Sequence, residues 1–331
     1  MIVDILLNIL GPILLMVAAG VWLRATFKVD LGTLSKLNIY LFTPAFIFDK
    51  VSSSSLSWGA MGGVVAITVA QVATLGLMIW IIGRALKIHR KTLAAIAMAV
   101  MFYNSGNYGL PLAELAYPRQ TAHDGGAVQA FVVMTQNVLT FTVGLTIAAY
   151  AHAGDLGSSI LKILRMPVLY TLTCAVLGRL WLQSDPSHHF PVILSKTVGY
   201  LSLALVPTAL VTLGAQLASN PRWPRWRPVS MVLVIRLLFG PVQMGALLYG
   251  FHLLKVPSLD LWGNDRWPAE LLILTAAVPT AINTLLLTLE LGGDADLSAD
   301  CVFWTTVFSA ISIPFWLIVL RVTSGQTVTV W

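Results

Sequence analysis

Long apolar runs, separated by short clusters of Pro, Gly and charged residues, repeat along the whole chain. Ile5–Leu23, Gly59–Gly83, Ala127–Ala151 and Met231–Phe251 each approach or exceed the roughly 20 residues that cross a bilayer core. Reading the runs against their punctuation predicts helices over 3–24, 33–50, 58–83, 92–118, 127–151, 159–182, 191–217, 228–253, 268–290 and 297–321. The first has Asp4 where a basic n-region would stand and reaches Arg24 without a clear small-residue cleavage site, so it is expected to be a retained helix.

Two of the predicted helices are interrupted. The fourth contains Asn104-Ser105-Gly106-Asn107-Tyr108-Gly109-Leu110-Pro111, and the ninth contains Thr275-Ala276-Ala277-Val278-Pro279-Thr280-Ala281-Ile282-Asn283. Glycine, asparagine and proline weaken or break a helical hydrogen-bond ladder. Inside a bilayer an unwound stretch survives only where it is buried in protein or lines a polar cavity. Paired interruptions at corresponding places in two halves point to a midplane binding site, where half-helix N-termini offer free N–H groups to an anion.

The halves also resemble each other. Leu34-Ser35-Lys36 with Tyr40-Leu41 recurs as Leu194-Ser195-Lys196 with Tyr200-Leu201. Pro12 and Arg24 have the spacing of Pro167 and Arg179, and Val132 and Thr135 that of Val302 and Thr305. All lie in order at offsets of 155 to 170, which a duplication of five helices would produce. Five is odd, so the second half must enter the membrane inverted, as in many secondary transporters. The expected architecture is therefore an all-α polytopic membrane protein of about ten transmembrane helices, with 1–152 and 153–331 as the two inverted repeats.

Composition agrees with this solvent. Only 10% of the 331 residues are charged, 57% are hydrophobic, and mean hydropathy is +0.82; soluble domains carry about 25% charged residues. The net charge of +6 is no nucleic-acid footprint, because its basic residues sit in short loops. With the N-terminus outside, twelve of the twenty Lys and Arg fall in cytoplasmic loops and seven in outer ones, leaving Arg236 inside a helix. The positive-inside rule thus places both termini outside the cytoplasm in a multi-pass inner-membrane protein. Cys174 and Cys301 lie far apart in apolar segments and are expected to be buried small hydrophobes rather than a disulfide or a zinc site.

The motifs Asn-x-Gly-Asn-x-Gly-Leu-Pro (Asn104 to Pro111), Pro-Thr-Ala-x-Asn (Pro279 to Asn283) and Leu-Asn-x-Tyr-Leu-x-x-Pro-Ala (Leu37 to Ala45) resemble those of the auxin efflux carrier family. That family includes plant auxin carriers and bacterial malate and malonate permeases, and the resemblance spans essentially the whole chain. It implies a bile-acid symporter-like fold with crossed fourth and ninth helices. It further implies a scaffold of helices 1, 2, 6 and 7 beside a mobile domain of 3–5 and 8–10. Two departures favour a bacterial-type permease over an auxin carrier. The plant Asn-Pro-Asn pattern lacks its first proline here, which makes Pro111 the expected hinge, and only His152 to Arg165 join the halves.

The candidate substrate-binding set is Asn104, Asn107, Tyr108, Pro111, Pro279, Thr280, Asn283 and Arg236. Arg236 lies nine residues past Arg227, about 13 Å deeper. An intramembrane charge is a functional candidate by default, although pairing with backbone carbonyls or snorkelling would also hold it. Gln71, Gln136, Asn137, Gln216 and Gln243 are candidates for the pathway, with interhelical bonding the expected role of most. Glu114 reads as a pore-mouth carboxylate or a proton or cation ligand, and Glu270 as a structural first-turn acid. Asp294, Asp296 and Asp300 imitate part of a calcium loop but lack its glycine and terminal glutamate, so they are expected to cap a helix.

These residues predict a secondary transporter that moves a small organic anion, a mono- or dicarboxylate on the family resemblance, by alternating access. No cofactor is expected; coupling to Na+ or H+ stays open, the lipid bilayer is the surrounding partner, and a homodimer is compatible. A prenyltransferase-type membrane enzyme would need paired Asp-rich motifs for magnesium, and a channel would need a charge ring or filter loop. Neither pattern is found in the sequence.

Overall fold

The computed structural model describes residues 11–117, 124–151, 167–218, 223–256, 259–262, 266–290 and 293–324. The start of the first predicted helix and the segment joining the halves lie outside these residues. Among the described residues the fold is all helical, with a single isolated β-bridge. The helices are α1 (Gly11–Phe27), α2 (31–52), α3 (Trp58–Ala85), α4a (Arg90–Met101), α4b (105–116), α5 (125–151), α6 (Pro167–Ser184), α7 (Val192–Leu217), α8 (226–253), α9a (Trp267–Ala276), α9b (Ile282–Glu290) and α10 (Ala295–Ser324). Five of them, α3, α5, α7, α8 and α10, are long and apolar enough to cross a membrane, and α1 and α9a are shorter apolar helices.

Local chemistry sets the helix starts. Asp30 accepts hydrogen bonds from the Gly32 and Thr33 amides at the start of α2, Ser57 accepts from Ala60 at α3, and Asp294 accepts from Leu297 at α10. Each occupies a donor that a helix N-terminus leaves free. Proline shapes the interiors. Wide π turns over Asn38–Phe42, Ser105–Gly109 and Val234–Phe239 each end two residues before a proline, at Pro44, Pro111 and Pro241. A proline cannot bond the carbonyl four residues back, and a wide turn is one way to pass it; Pro207 and Pro314 sit in regular α-helix, and the π turn Thr140–Gly144 precedes no proline. The Leu237 carbonyl freed by Pro241 accepts instead from Trp316 Nε1 at 2.8 Å.

The helices associate in two groups. α1 packs on α7, and α2 packs on both α6 and α7. In the second group α3 packs on α4a, α5 and α8, while α10 packs on α4a, α8 and α9b. α4b and α5 touch α7 and α2 respectively, which joins the groups. In the first group the α1–α7 contact is backbone on backbone: a Cβ at Gly20 would overlap the Val211 carbonyl, and one at Gly214 the Val17 carbonyl. Gly214→Val is therefore expected to force the pair apart and lower the melting temperature, since overpacking costs about 1–3 kcal/mol or more. Gly199→Val on the same helix, where an added Cβ meets nothing within 4 Å, is expected to leave it unchanged. Cys301 is buried as expected, but Cys174 is exposed on the apolar outer surface of α6.

Candidate functional site at the helix crossing

The interruptions of the fourth and ninth predicted helices meet. α4a ends at Met101 and the chain runs extended through Phe102 before α4b begins. Tyr103 and Thr280 form an antiparallel bridge; the Asn104 amide donates to the Pro279 carbonyl at 2.8 Å, and the Ala281 amide to the Phe102 carbonyl at 3.1 Å. Each unwound stretch thus satisfies the polar backbone that the other exposes, which a bilayer interior requires. Thr280 adds two bonds, its amide donating to Thr305 Oγ1 at 3.0 Å and its hydroxyl to the Ala99 carbonyl at 2.8 Å. The break falls at 102–104, ahead of the Pro111 hinge expected from sequence. Pro111 lies past the first turn of α4b, directly after the π turn Ser105–Gly109, and not at the opening. Asn104 caps α4b instead, its Oδ1 accepting from the Asn107 amide at 3.2 Å.

Arg236, expected beside substrate, packs against the crossing behind Tyr103. It is fully buried, and its Nη1 donates to the Val100 carbonyl at 2.8 Å while Nη2 donates to the Ala276 carbonyl. Its guanidinium also stacks 4.6 Å from the centre of the Tyr103 ring. Val100 and Ala276 stand at the C-terminal ends of α4a and α9a, so the cation neutralises two negative half-helix ends. Arg236 lines neither cavity described below.

The N-terminal ends of α4b and α9b border a small cavity of about 110 Å³. Asn104, Asn107 and Asn283 line it; Pro279 and Thr280 build the crossing behind it, and Tyr108 and Pro111 pack away from it. Tyr108 accepts from Ser309 of α10 at 3.2 Å. The cavity also takes Thr43 from α2, Tyr103, and Gln136, Asn137 and Thr140 from α5. Gln136 and Asn137 are thus lining residues, although polar residues in a span more often tie helices together. Gln136 and Tyr103 are each 2% exposed; the Tyr103 hydroxyl approaches Gln136 and Thr275, and neither the hydroxyl nor the Gln136 amide has a partner at full hydrogen-bond geometry among the described residues. Gln243 meets the tying expectation, donating to Thr74 Oγ1 of α3.

A wider cavity of about 510 Å³ adjoins the first and shares Asn104 with it. It is bordered by the start of α2 with Lys36, the end of α7 with Gln216, α9b, and the start of α10 with Asp300. At the same end of the molecule Arg225 pairs with Asp294 at 2.5 Å, and Asp294 caps α10 as the sequence suggested, whereas Asp296 and Asp300 lie within that helix. Arg225 and the Leu297 amide hold the Asp294 carboxyl below the usual carboxylate range, against the opposing effect of burial.

The opposite end is closed by polar contacts. Lys50 of α2 pairs with Glu114 of α4b at 2.6 Å. Asp124 accepts from the Ser55 amide at 3.2 Å, and Arg179 donates to the Leu56 carbonyl and stacks on Trp58. Glu270 accepts from the Tyr117 hydroxyl at 3.0 Å, and Arg321 donates to the Ala116 carbonyl at 2.8 Å. The Glu114 carboxylate is therefore engaged by a cation in this conformation.

Comparison with known proteins places this geometry in a functional context. The family model described as membrane transport protein matches residues 9–317. An uncharacterized transporter of Methanothermobacter thermautotrophicus is 28% identical over 300 residues, covering 88% of this chain and 89% of that protein. A protein of Rhizobium meliloti, provisionally named a malonate transporter, is 24% identical over 302 residues, covering 88% of this chain and 87% of its own. An uncharacterized transporter of Methanocaldococcus jannaschii is 22% identical over 288 residues, with 86% and 87% covered.

Proposed function

The chain belongs to this membrane transport protein family, that of the auxin efflux carriers, and from that premise we propose that it is a secondary transporter moving a small organic anion, a mono- or dicarboxylate, by alternating access. The observation that carries this reading is the convergence of two half-helix N-termini and five side-chain amides, from Asn104, Asn107, Gln136, Asn137 and Asn283, on one small cavity. Amides both donate and accept, so they can hold carboxylate oxygens without fixing the rest of the ligand. A cavity of about 110 Å³ is well below the roughly 300–1,000 Å³ of sites for drug-sized ligands. The substrate is accordingly a few carbons long, and the provisional name of the Rhizobium relative makes malonate the first candidate.

The inverted repeats over 1–152 and 153–331 supply the mechanism. In this reading α1, α2, α6 and α7 form the scaffold, and the group containing the crossing moves against it. The positive-inside rule assigns the wide cavity to the cytoplasmic side, so the present conformation is inward-facing. Lys50–Glu114 and its neighbours close the outer side and must part when the site turns outward. Coupling to Na+ or H+ and assembly as a homodimer belong to the same proposal.

Uptake into proteoliposomes tests it. The purified protein is expected to give saturable entry of a small carboxylate, stimulated by the same compound inside; non-saturating flux would mark a channel, and chemical conversion of the compound an enzyme. Orientation is tested separately with single cysteines at Ser55 and His89, both exposed, in a background lacking Cys174 and Cys301. An impermeant thiol reagent is expected to reach Ser55→Cys from outside and His89→Cys from inside. Labelling of both from one side would overturn the orientation.

A further inference from the structure

We infer that the crossing site selects a substrate with a single negative charge, so that a dicarboxylate is taken in its singly protonated form. The inference rests on the carrier reading above and gives its site a charge rule. Four half-helix ends meet at the crossing, and each carries roughly half an elementary charge. The two C-terminal ends, of α4a and α9a, face Arg236, whose one positive charge matches them. The two N-terminal ends, of α4b and α9b, border the small cavity; the cap on α4b is the neutral Asn104 amide, so the two dipoles together offer up to about one positive charge.

No Lys, Arg, His, Asp or Glu stands among the described lining residues of that cavity. Among the described residues, the charges around it are offset by partners of opposite sign. Arg236 lies behind Tyr103 and is occupied by carbonyls, while Lys36 and Asp300 border the adjoining wide cavity with opposite signs. A second substrate charge would therefore be moved from water into a site with no complement for it among the described residues, and such a group protonates instead. The neutral carboxyl then has a hydrogen to donate. Gln136, which lines the cavity, provides the receiving group: it is 2% exposed, and neither its amide oxygen nor its amide nitrogen makes a hydrogen bond of full geometry, with the Tyr103 hydroxyl as the protein group beside it. The same residue thus meets a protonated carboxyl through its oxygen, while Asn107 and Asn283 serve the ionised one at the helix N-termini.

The test compares malonate with malonamate, its monoamide, which has nearly the same size and one fixed negative charge. Binding of each to the purified protein is measured across pH values on both sides of the second ionisation of malonate. Malonamate affinity is expected to stay flat, whereas malonate weakens about tenfold per pH unit above that ionisation. Gln136→Lys, which adds the missing cation, is expected to flatten the malonate profile. Malonate binding that is independent of pH in the parent protein would overturn the charge rule and leave the carrier reading standing. Parallel loss of both ligands would assign the pH dependence to a protein group and overturn it too. If neither compound nor any other small carboxylate binds, the carrier reading fails and the charge rule falls with it.

Discussion

Arg236→Gln is expected to lower the melting temperature of the purified protein sharply and to abolish transport as a consequence. The side chain holds the Val100 and Ala276 carbonyls from beneath the crossing and covers one face of Tyr103. A glutamine is shorter, has one amide group, and cannot reach both carbonyls. Each buried group left unpaired costs about 1–3 kcal/mol, and the stacking on Tyr103 contributes about 0.5–2 kcal/mol more. The total is a large fraction of the roughly 5–15 kcal/mol that separates a folded domain from its unfolded state. Arg236→Lys keeps the charge but loses the planar fork, so its melting temperature should fall between the two. If Arg236→Gln melts like the parent but no longer transports, the guanidinium is a substrate ligand after all.

The opposite signature is expected for the amides of the small cavity. Asn107 and Asn283 are partly exposed to it, and no side-chain bond to the protein holds either among the described residues. Removing one amide should therefore spare the fold and deprive the ligand. A lost hydrogen bond to a charged group is worth about 1.5–3 kcal/mol, so Asn107→Ala and Asn283→Ala should each weaken carboxylate binding about tenfold or more, with melting temperatures near the parent value. Pro279→Ala tests a third behaviour. It allows the ninth helix to close its break, which would slow transport more than it weakens binding. Asparagine variants that bind like the parent would move the site away from the crossing.

How far the sequence carried this account depended on the range of the forces involved. Hydropathy placed the apolar runs well, because crossing a bilayer imposes a length and composition that a local window can see. The interruptions were also legible, since glycine, asparagine and proline act within a turn of themselves. Their point of opening was not. Pro111 marks the most obvious local defect, yet the chain opens at Phe102–Asn104 because the partner strand Pro279–Ala281 is there to take its backbone groups. Arg236 was conspicuous as a buried charge, but its partners are carbonyls, which leave no mark in a sequence. Gln136 and Gln243 looked alike. Packing turned one toward a cavity and the other toward Thr74, and only the arrangement of neighbouring helices distinguishes those fates.

Binding of small carboxylates at the crossing is read out by ligand-dependent thermal stability. The purified protein is melted in the presence of a panel of small mono- and dicarboxylates, with and without sodium, alongside the double variant Asn107→Ala/Asn283→Ala. A ligand present at a hundred times its dissociation constant stabilises the folded state by about 2.7 kcal/mol. A clear rise in melting temperature is expected for at least one small carboxylate in the parent protein, and little or none in a double variant that melts normally without ligand. A panel that stabilises neither protein, or stabilises both equally, would contradict binding at the crossing.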